Sequence, residues 1–265
     1  MKILRSRGPF RMDQGVQRSF RGPFLTACAL LFAAVGARAA APPAVGFDTA
    51  HFNIDLSVSS DYVVHGITRS QGKPVAQAQL GWTGESGFMV GAWLSTLDLN
   101  PGPGPEYEID PYLARRWTLS PDWSLRTDIT RYMFRPNGAA VRYDYTELRA
   151  AMAFRDVLDF AVSWAPDYSG LSWEGPARNR TMMTYEASAH VPATRWVGLN
   201  AGIGRRDLED AFGSAYWYWS AGTEANFDRV SVAVTWIGTS YDAAELYGHE
   251  YAGNRVVATV GVRLH

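Results

Sequence analysis

Beyond about residue 40 the chain alternates apolar and polar side chains in about a dozen runs, separated in turn by short and long gaps. In the clearest run, apolar side chains hold the even positions from Phe52 to Val58 and polar side chains the odd ones. A period of two is that of a β-strand whose faces meet different surroundings. Such strands cross a bilayer only in a closed sheet, because an open edge leaves backbone groups unpaired in lipid. The pattern predicts an all-β fold, a single antiparallel transmembrane β-barrel of about twelve strands.

The gap lengths predict which end of the barrel is which. Short gaps in such barrels are periplasmic turns and long gaps are external loops. The predicted turns are Gly84–Gly87, Ser120–Asp122, Arg155–Val157, Val191–Arg195 and Phe227–Arg229. The predicted loops are Gly66–Lys73, Asn100–Pro105, Arg135–Arg142, Ala165–Asn179, Arg205–Ser214 and Ser240–Gly253. With twelve strands, both chain ends are expected in the periplasm.

The N-terminal segment has the composition of a cleaved secretion signal. Six basic residues precede the apolar run from Phe24 to Val35, and the small-residue site Ala37-Arg38-Ala39 follows it. This order is typical of signal peptides, whether translation starts at Met1 or at Met12. The predicted division is therefore a signal over residues 1–39 and the barrel over residues 40–265, in the outer membrane of a Gram-negative bacterium.

Charge and cysteine content exclude several classes of protein. Removing residues 1–39 takes away seven basic residues and Asp13, which moves the net charge from −1 to −7. An acidic surface argues against nucleic-acid binding and favours cations near a pore. The one cysteine, Cys28, lies in the predicted signal, so thiolate chemistry and disulfides are not expected. After the signal, no apolar run reaches the roughly 20 residues of a membrane helix.

Aromatic side chains are expected near both ends of the strands, where the rings of a membrane barrel meet the bilayer interfaces. The predicted periplasmic girdle is Trp82, Phe88, Trp117, Trp123, Phe154 and Trp196. The predicted external girdle is Tyr62, Trp93, Phe134, Tyr143, Trp164, Trp217 and Trp236. A soluble sandwich, the other fold that a secretion signal allows, more often places such rings in mid-strand.

Charged residues fall on the inward face at a spacing of two. The candidate pore-lining residues are Glu108, Asp110, Arg126, Asp128, Glu147, Arg149, Glu186 and Glu224. Mixed charge of this kind lines constrictions that select solutes by field and hydration. The alternative is that Arg126, Asp128, Glu147 and Arg149 pair across neighbouring strands and fill a narrow lumen. The sequence does not decide between these two readings.

Catalysis and metal binding have weaker support. A lipid hydrolase needs serine and histidine within hydrogen-bond reach on the outer rim, but His65 and His249 fall in loops and His190 is inward near a turn. The five histidines show no ligand spacing, and Asp242, Glu245, His249 and Glu250 are more simply a solvated loop. Tyr241, Tyr247 and Tyr251 could stack on a sugar. The expectation is no enzyme, no metal and no cofactor.

Four ordered segments resemble one bacterial family. They are Asp61 to Ser70 with Lys73-Pro74 and Ala76-Gln77; Glu85 to Phe88 with Gly91 and Trp93; Tyr143 to Glu147; and Trp164 to Gly170. Together they resemble the proteobacterial family Gcw_chp, also called the TorF family of porins. Members usually carry arginine where this chain has His65, and they tend to end in an aromatic residue where this chain ends Leu264-His265.

The resemblance implies an outer-membrane barrel that acts as a channel. With the inward charges, it predicts a narrow passive channel for small hydrophilic solutes, whose partners are outer-membrane lipid, the barrel-assembly machinery and those solutes, with no nucleic acid. A plugged structural or surface-binding barrel is the main alternative, and an outer-membrane lipid hydrolase is a more remote one. A barrel of twelve strands is narrower than the larger porins.

Overall fold

A computed structural model of the chain describes residues 52–99, 106–135, 143–169, 171–172, 175–176 and 179–264. The predicted signal over residues 1–39, the predicted loop Asn100–Pro105 and positions 136–142 of the predicted loop Arg135–Arg142 lie outside these residues. The signal and its cleavage near residue 39 therefore stay predictions.

Twelve antiparallel strands of the described residues close into a barrel, as the sequence predicts. The barrel strands are β1 (Phe52–Ser59), β4 (Val75–Thr83), β5 (Phe88–Leu97), β6 (Glu106–Thr118), β7 (Trp123–Arg135), β8 (Tyr145–Phe154), β9 (Leu158–Tyr168), β12 (Arg180–Pro192), β13 (Val197–Leu208), β14 (Ser214–Phe227), β15 (Val230–Thr239) and β16 (Arg255–Leu264). Each pairs with its neighbour along the chain, and β1 pairs with β16, for instance Ile54 with Leu264, to close the sheet.

Four short strands form two small hairpins outside the barrel sheet. They are β2 (Val63–Val64) with β3 (Ile67–Thr68), and β10 (Leu171–Ser172) with β11 (Gly175–Pro176). The second hairpin lies in the predicted loop Ala165–Asn179, whereas the first begins before the predicted loop Gly66–Lys73 and ends inside it.

The two faces of the wall differ as the period-two pattern requires. On β1, the apolar side chains from Phe52 to Val58 are exposed on the outer face, and the polar ones between them are half-buried on the inner face. The same alternation of exposed and covered positions runs through β15 and β16. An outer wall of exposed valine, leucine, isoleucine and aromatic side chains is stable only against lipid, so the barrel spans a bilayer.

Other predicted loops also contain regular structure. Strand β9 continues to Tyr168, inside the predicted loop Ala165–Asn179. The predicted loop Arg205–Ser214 is the end of β13, the four-residue helix α1 (Glu209–Phe212) and the start of β14. The predicted loop Ser240–Gly253 contains helix α2 (Tyr241–Tyr247). Neither helix is long and apolar enough to cross a membrane.

The aromatic girdles are correct at the short-turn end and only partly correct at the other. Phe88, Trp117, Trp123 and Trp196 are exposed near the short turns, and Trp164, Trp217 and Trp236 are exposed near the long loops. Tyr62, Trp93, Phe134 and Tyr143 are instead buried in one internal cluster. Trp93 and Phe134 occupy inward positions of their strands, opposite Asp110 and Glu108, so proximity to a strand end was the wrong criterion for them.

Candidate functional site in the barrel lumen

The loop between β1 and β4 folds inward and fills the barrel lumen at the long-loop end. All ten residues from Asp61 to Ser70 are buried, and we call this segment the plug. Its centre is the hairpin of β2 and β3, which turns at His65 and Gly66 with φ of 46° and 83°. Two-residue hairpin turns of this kind need positive φ at both positions. Gly66 also lies against the wall, where an added Cβ would come within 2.2 Å of the Thr239 side chain.

Asp61 holds the plug in its folded form. Its Oδ1 accepts hydrogen bonds from Thr68 Oγ1 at 2.5 Å, Ser70 Oγ at 2.8 Å and the Gly72 amide at 3.2 Å. Its Oδ2 accepts from Arg255 on β16 at 2.9 Å. One carboxylate therefore ties both ends of the hairpin to each other and to the wall, through charge-assisted bonds that are stronger than neutral ones.

On one wall the plug is anchored by a fully buried ion pair. Arg69 Nη1 lies 2.8 Å from Glu108 Oε1 on β6, and the hydroxyl of Tyr62 donates to Glu108 Oε2 at 2.7 Å. The guanidinium carbon is also 5.2 Å from the centre of the Phe134 ring on β7. Removing one partner of a buried pair leaves an uncompensated charge, so the anchor depends on both groups being present.

His65 anchors the plug on the opposite side. Its Nδ1 accepts a short hydrogen bond from Arg206 Nη1 on β13, and its Nε2 lies 3.8 Å from Glu186 Oε1 on β12. Its ring meets the edge of Tyr218 on β14, and the Tyr218 hydroxyl donates to Glu186 Oε1 at 2.5 Å. The plug thus bridges the lumen from β6 to β12, β13 and β14.

Burial keeps the His65 imidazole neutral. Desolvation lowers the pKa of His65 well below its ordinary 6.5, and the positive charges of Arg206, Arg69 and Arg149 lower it further. The neutral ring is the form that accepts the Arg206 hydrogen bond at Nδ1. A protonated ring could not accept that bond and would place a second positive charge beside the Arg206 guanidinium.

All eight candidate residues lie at inward positions of their strands, but they do not form one open constriction. Glu108 is buried against Arg69 and Tyr62 of the plug, and Asp110, the next inward residue of β6, is buried as well. Arg126 pairs with Asp128 of its own strand at 3.2 Å. Arg149 reaches across β9 to Glu186 at 3.6 Å.

The remaining two candidates lie apart from each other. Glu147 is buried at the long-loop end of β8, and Glu224 is buried near the short turn that follows β14. The predicted pairing among Arg126, Asp128, Glu147 and Arg149 is therefore seen only in part, because Arg126 bonds within its strand and Arg149 bonds to Glu186.

Sequence reasoning missed the residues that close the lumen. Tyr62, His65 and Arg69 belong to the ordered motif that carries the family resemblance. The motif therefore singled out these residues, but it did not indicate that they fold into the lumen. Arg206 was assigned to a charged loop, although it occupies an inward position of β13 between outward Arg205 and Asp207. A period-two reading extended through Leu208 would have found it.

Below the plug, the lumen holds a cavity of about 180 Å³. Val63 of the plug packs on Ile237 and Val257 at its top. Gln77, Gln79, Thr235 and Thr259 line its sides, and Asp55, Asp228, Arg229 and Arg263 lie at its short-turn end. The plug is therefore a closure at one level of the lumen, and open space remains on its short-turn side.

The three histidines among the described residues have other contacts than the serine that a hydrolase would need. His65 bonds to Arg206, His190 Nδ1 lies 2.5 Å from Asn200 Oδ1, and His249 packs near the Tyr241 ring. Over the described part of the chain, no three or more His, Cys, Asp or Glu side chains come together as metal ligands would. The absence of an enzyme activity stays a prediction.

Comparison with known proteins identifies the family and the fold. A family model described as "Bacterial protein of unknown function (Gcw_chp)" matches residues 41–263. A search of curated proteins found no match. The name TorF stays a prediction, since the matching model does not carry it.

Several solved porins have the same fold at very low sequence identity. The KdgM porin aligns with a TM-score of 0.51 and 10% identity, over 80% of this chain and 99% of that one. A second structure, the KdgM porin in complex with disordered oligogalacturonate, gives 0.50 and 10% over the same shares. The NanC porin gives 0.50 and 7%, over 81% of this chain and 99% of that one. Likeness at this identity establishes a shared fold and does not extend to a ligand.

Proposed function

We propose that this chain, which belongs to the Gcw_chp family, is an outer-membrane channel for small hydrophilic solutes whose lumen is closed here by the plug. The fold of the KdgM and NanC porins supports a channel in a Gram-negative outer membrane. The polar inner wall and the cavity below the plug supply the passage. The charged residues around the plug set which solutes pass once it moves.

The observation that carries this proposal is how the plug is attached. Among the described residues, its backbone bonds to itself, to the loop residues Lys73, Asp98 and Tyr251, and to the Ser59 hydroxyl at the end of β1, which donates to Asp61 O at 2.9 Å. Its contacts with the barrel strands are made by side chains. The plug can therefore leave the lumen without breaking any pairing between barrel strands. A segment that only filled the barrel permanently would not need to be attached in this separable way.

Replacing residues 62–69 by a short Gly-Ser linker should turn a rarely conducting barrel into one that conducts continuously. The reason is that the excised residues fill the lumen while the paired strands are left intact. Single-channel recording of the refolded mature chain in a planar bilayer measures this. A variant that keeps the folded, heat-modifiable state and never conducts would show that the wall itself is closed, which is the structural-barrel alternative.

Acidification should favour opening through His65. The docked plug keeps this imidazole neutral, whereas a released plug lets it protonate near its ordinary pKa of 6.5. The released state therefore binds more protons than the docked state. The docking equilibrium is most favourable above pH 6.5, and its equilibrium constant falls by up to about tenfold per pH unit as the pH drops from 6.5 towards the lowered pKa.

Open probability measured between pH 7.5 and 5 tests this expectation. The titratable groups that face His65 are Arg206, Arg149, Arg69, Glu186 and Tyr218. A His65→Gln variant keeps all five of these groups and lacks only the imidazole. We expect the variant to lose the rise in opening at acidic pH. An equal pH response in both proteins would assign the effect to other groups.

A further inference from the structure

Arg115 is a charged residue on the outer face of the barrel. It occupies an outward position of β6 between Leu113 and Trp117, close to the short-turn end. Its guanidinium carbon lies 3.7 Å from the centre of the Trp117 ring and 4.8 Å from that of Phe88. Charges on the lipid face are tolerated near the interfaces and costly at mid-membrane, so this position is one where a cation meets headgroups.

The other arginines on the outer face differ from Arg115 in their partners. Arg131 pairs with Asp167 at 2.7 Å and Arg135 with Asp144 at 3.1 Å. Arg205 pairs with Asp207 at 3.4 Å. All three lie near the long-loop end. In the described residues, the recorded contacts of Arg115 are with the two rings and include no carboxylate, so its positive charge is not neutralised by the protein.

A trough in the wall starts at Arg115. Across the sheet, Arg115 lies beside Thr127, Thr127 beside Ala150, and Ala150 beside Val162, so the floor is made of small side chains. The row on one side is Leu113, Ile129, Leu148 and Trp164, and the row on the other is Trp117, Leu125, Met152 and Phe160. The groove has a volume of about 550 Å³ and is lined by this floor, by the first of the two rows and by Phe88, Arg115 and Trp117.

We propose that this groove is a binding site for an acidic phospholipid of the periplasmic leaflet, with the phosphate on Arg115 and an acyl chain in the trough. Arginine binds phosphate through paired, charge-assisted hydrogen bonds, and the stacked rings hold its guanidinium in place. The apolar trough excludes a soluble anion as the natural occupant. The site rests on the short turns lying in the periplasm, as in the proposed function, and is independent of whether the lumen conducts.

Lipid retention in detergent solution tests the site. Native mass spectrometry of the refolded mature chain, with equal amounts of dioleoylphosphatidylglycerol and dioleoylphosphatidylcholine, compares two headgroups on identical tails. Both lipids carry a phosphate, but the choline cation of the second opposes the positive charge of Arg115, so we expect the wild type to retain the glycerol lipid about tenfold more. Arg115→Gln should reduce this preference to near unity.

Two control variants separate the site from general electrostatics. Arg205→Gln removes the same charge from a paired arginine at the other end of the barrel and should keep the preference. Ala150→Phe fills the trough and should weaken retention of both lipids while leaving their ratio unchanged. Equal retention of the two lipids by the wild type, or an unchanged preference in Arg115→Gln, would overturn the proposal. Neither outcome depends on conductance, so the proposed channel would stand or fall separately.

Discussion

Replacing Arg69 with methionine should open the lumen. The substitution leaves the Glu108 carboxylate buried with the Tyr62 hydroxyl as its remaining donor from the plug. Breaking a buried ion pair by removing one partner costs about 3–5 kcal/mol. Because the plug is attached to the strands by side chains, that cost falls on docking and not on the barrel. We expect open probability in planar bilayers to rise by about two to three powers of ten, at about tenfold per 1.4 kcal/mol.

The matched control removes both charges. In an Arg69→Met, Glu108→Leu, Tyr62→Phe variant, apolar side chains replace the ion pair and the tyrosine hydroxyl that would lose its acceptor, and such exchanges are often neutral or stabilising. This triple variant should remain closed like the wild type, although it lacks the same arginine. If the single variant is folded and stays closed, or if both variants open equally, the ion pair is not the anchor that we describe.

The barrel could be predicted from the sequence because its determinants are local. Each strand carries its own period of two, and a bilayer leaves closure as the only way to pair the edges. The predicted strand over Phe52–Ser59 and the turn at Gly84–Gly87 needed no knowledge of any distant residue. For the same reason, the alternation along each strand was enough to predict that Glu108 and Arg149 face the lumen.

The closure of the lumen could not be predicted because it depends on contacts between residues far apart in the chain. Arg69 contacts Glu108, and His65 contacts Arg206. In both pairs the partners are far apart in the sequence, so no regular spacing of residues predicts the contact. Polar residues after a strand predict a solvated loop, and the plug has that composition although it is buried. The predicted girdle positions of Trp93 and Tyr62 were wrong for a related reason, since Tyr62 belongs to the plug and Trp93 packs on its ring inside the barrel.

The plug also changes the meaning of the inward charges. Sequence reasoning offered either a selective constriction or a lumen filled by pairing within the wall. Among the described residues, the ion pair whose two side chains are fully buried joins the wall to a loop, because Glu108 belongs to β6 and Arg69 to the plug. The same charges can therefore close the lumen when the plug is docked and line it when the plug is released, so the two readings describe two states of one site.

Asp61→Ala should unfold the plug while leaving the barrel paired. The carboxylate accepts bonds from Thr68, Ser70, the Gly72 amide and Arg255, and hydrogen bonds to a charged group contribute about 1.5–3 kcal/mol each. The loss of all four bonds exceeds the stability that a ten-residue segment can have when its only strand pairing is its own two-residue hairpin. Amide hydrogen exchange should show at least a hundredfold loss of protection at Tyr62 and Arg69, whose amides bond within the plug, at about tenfold per 1.4 kcal/mol.

Asparagine at position 61 separates the internal bonds from the bond to the wall. Its single carbonyl oxygen can keep the Thr68 and Ser70 bonds that Oδ1 accepts, while its amide cannot accept from Arg255. Asp61→Asn should therefore keep amide protection within the hairpin and raise open probability, because the plug remains folded but holds less firmly to β16. Strands β1 and β16 should keep their protection in both variants, since their pairing does not involve the plug. A parallel loss of protection in those strands would mean that Asp61 stabilises the barrel closure and not the plug.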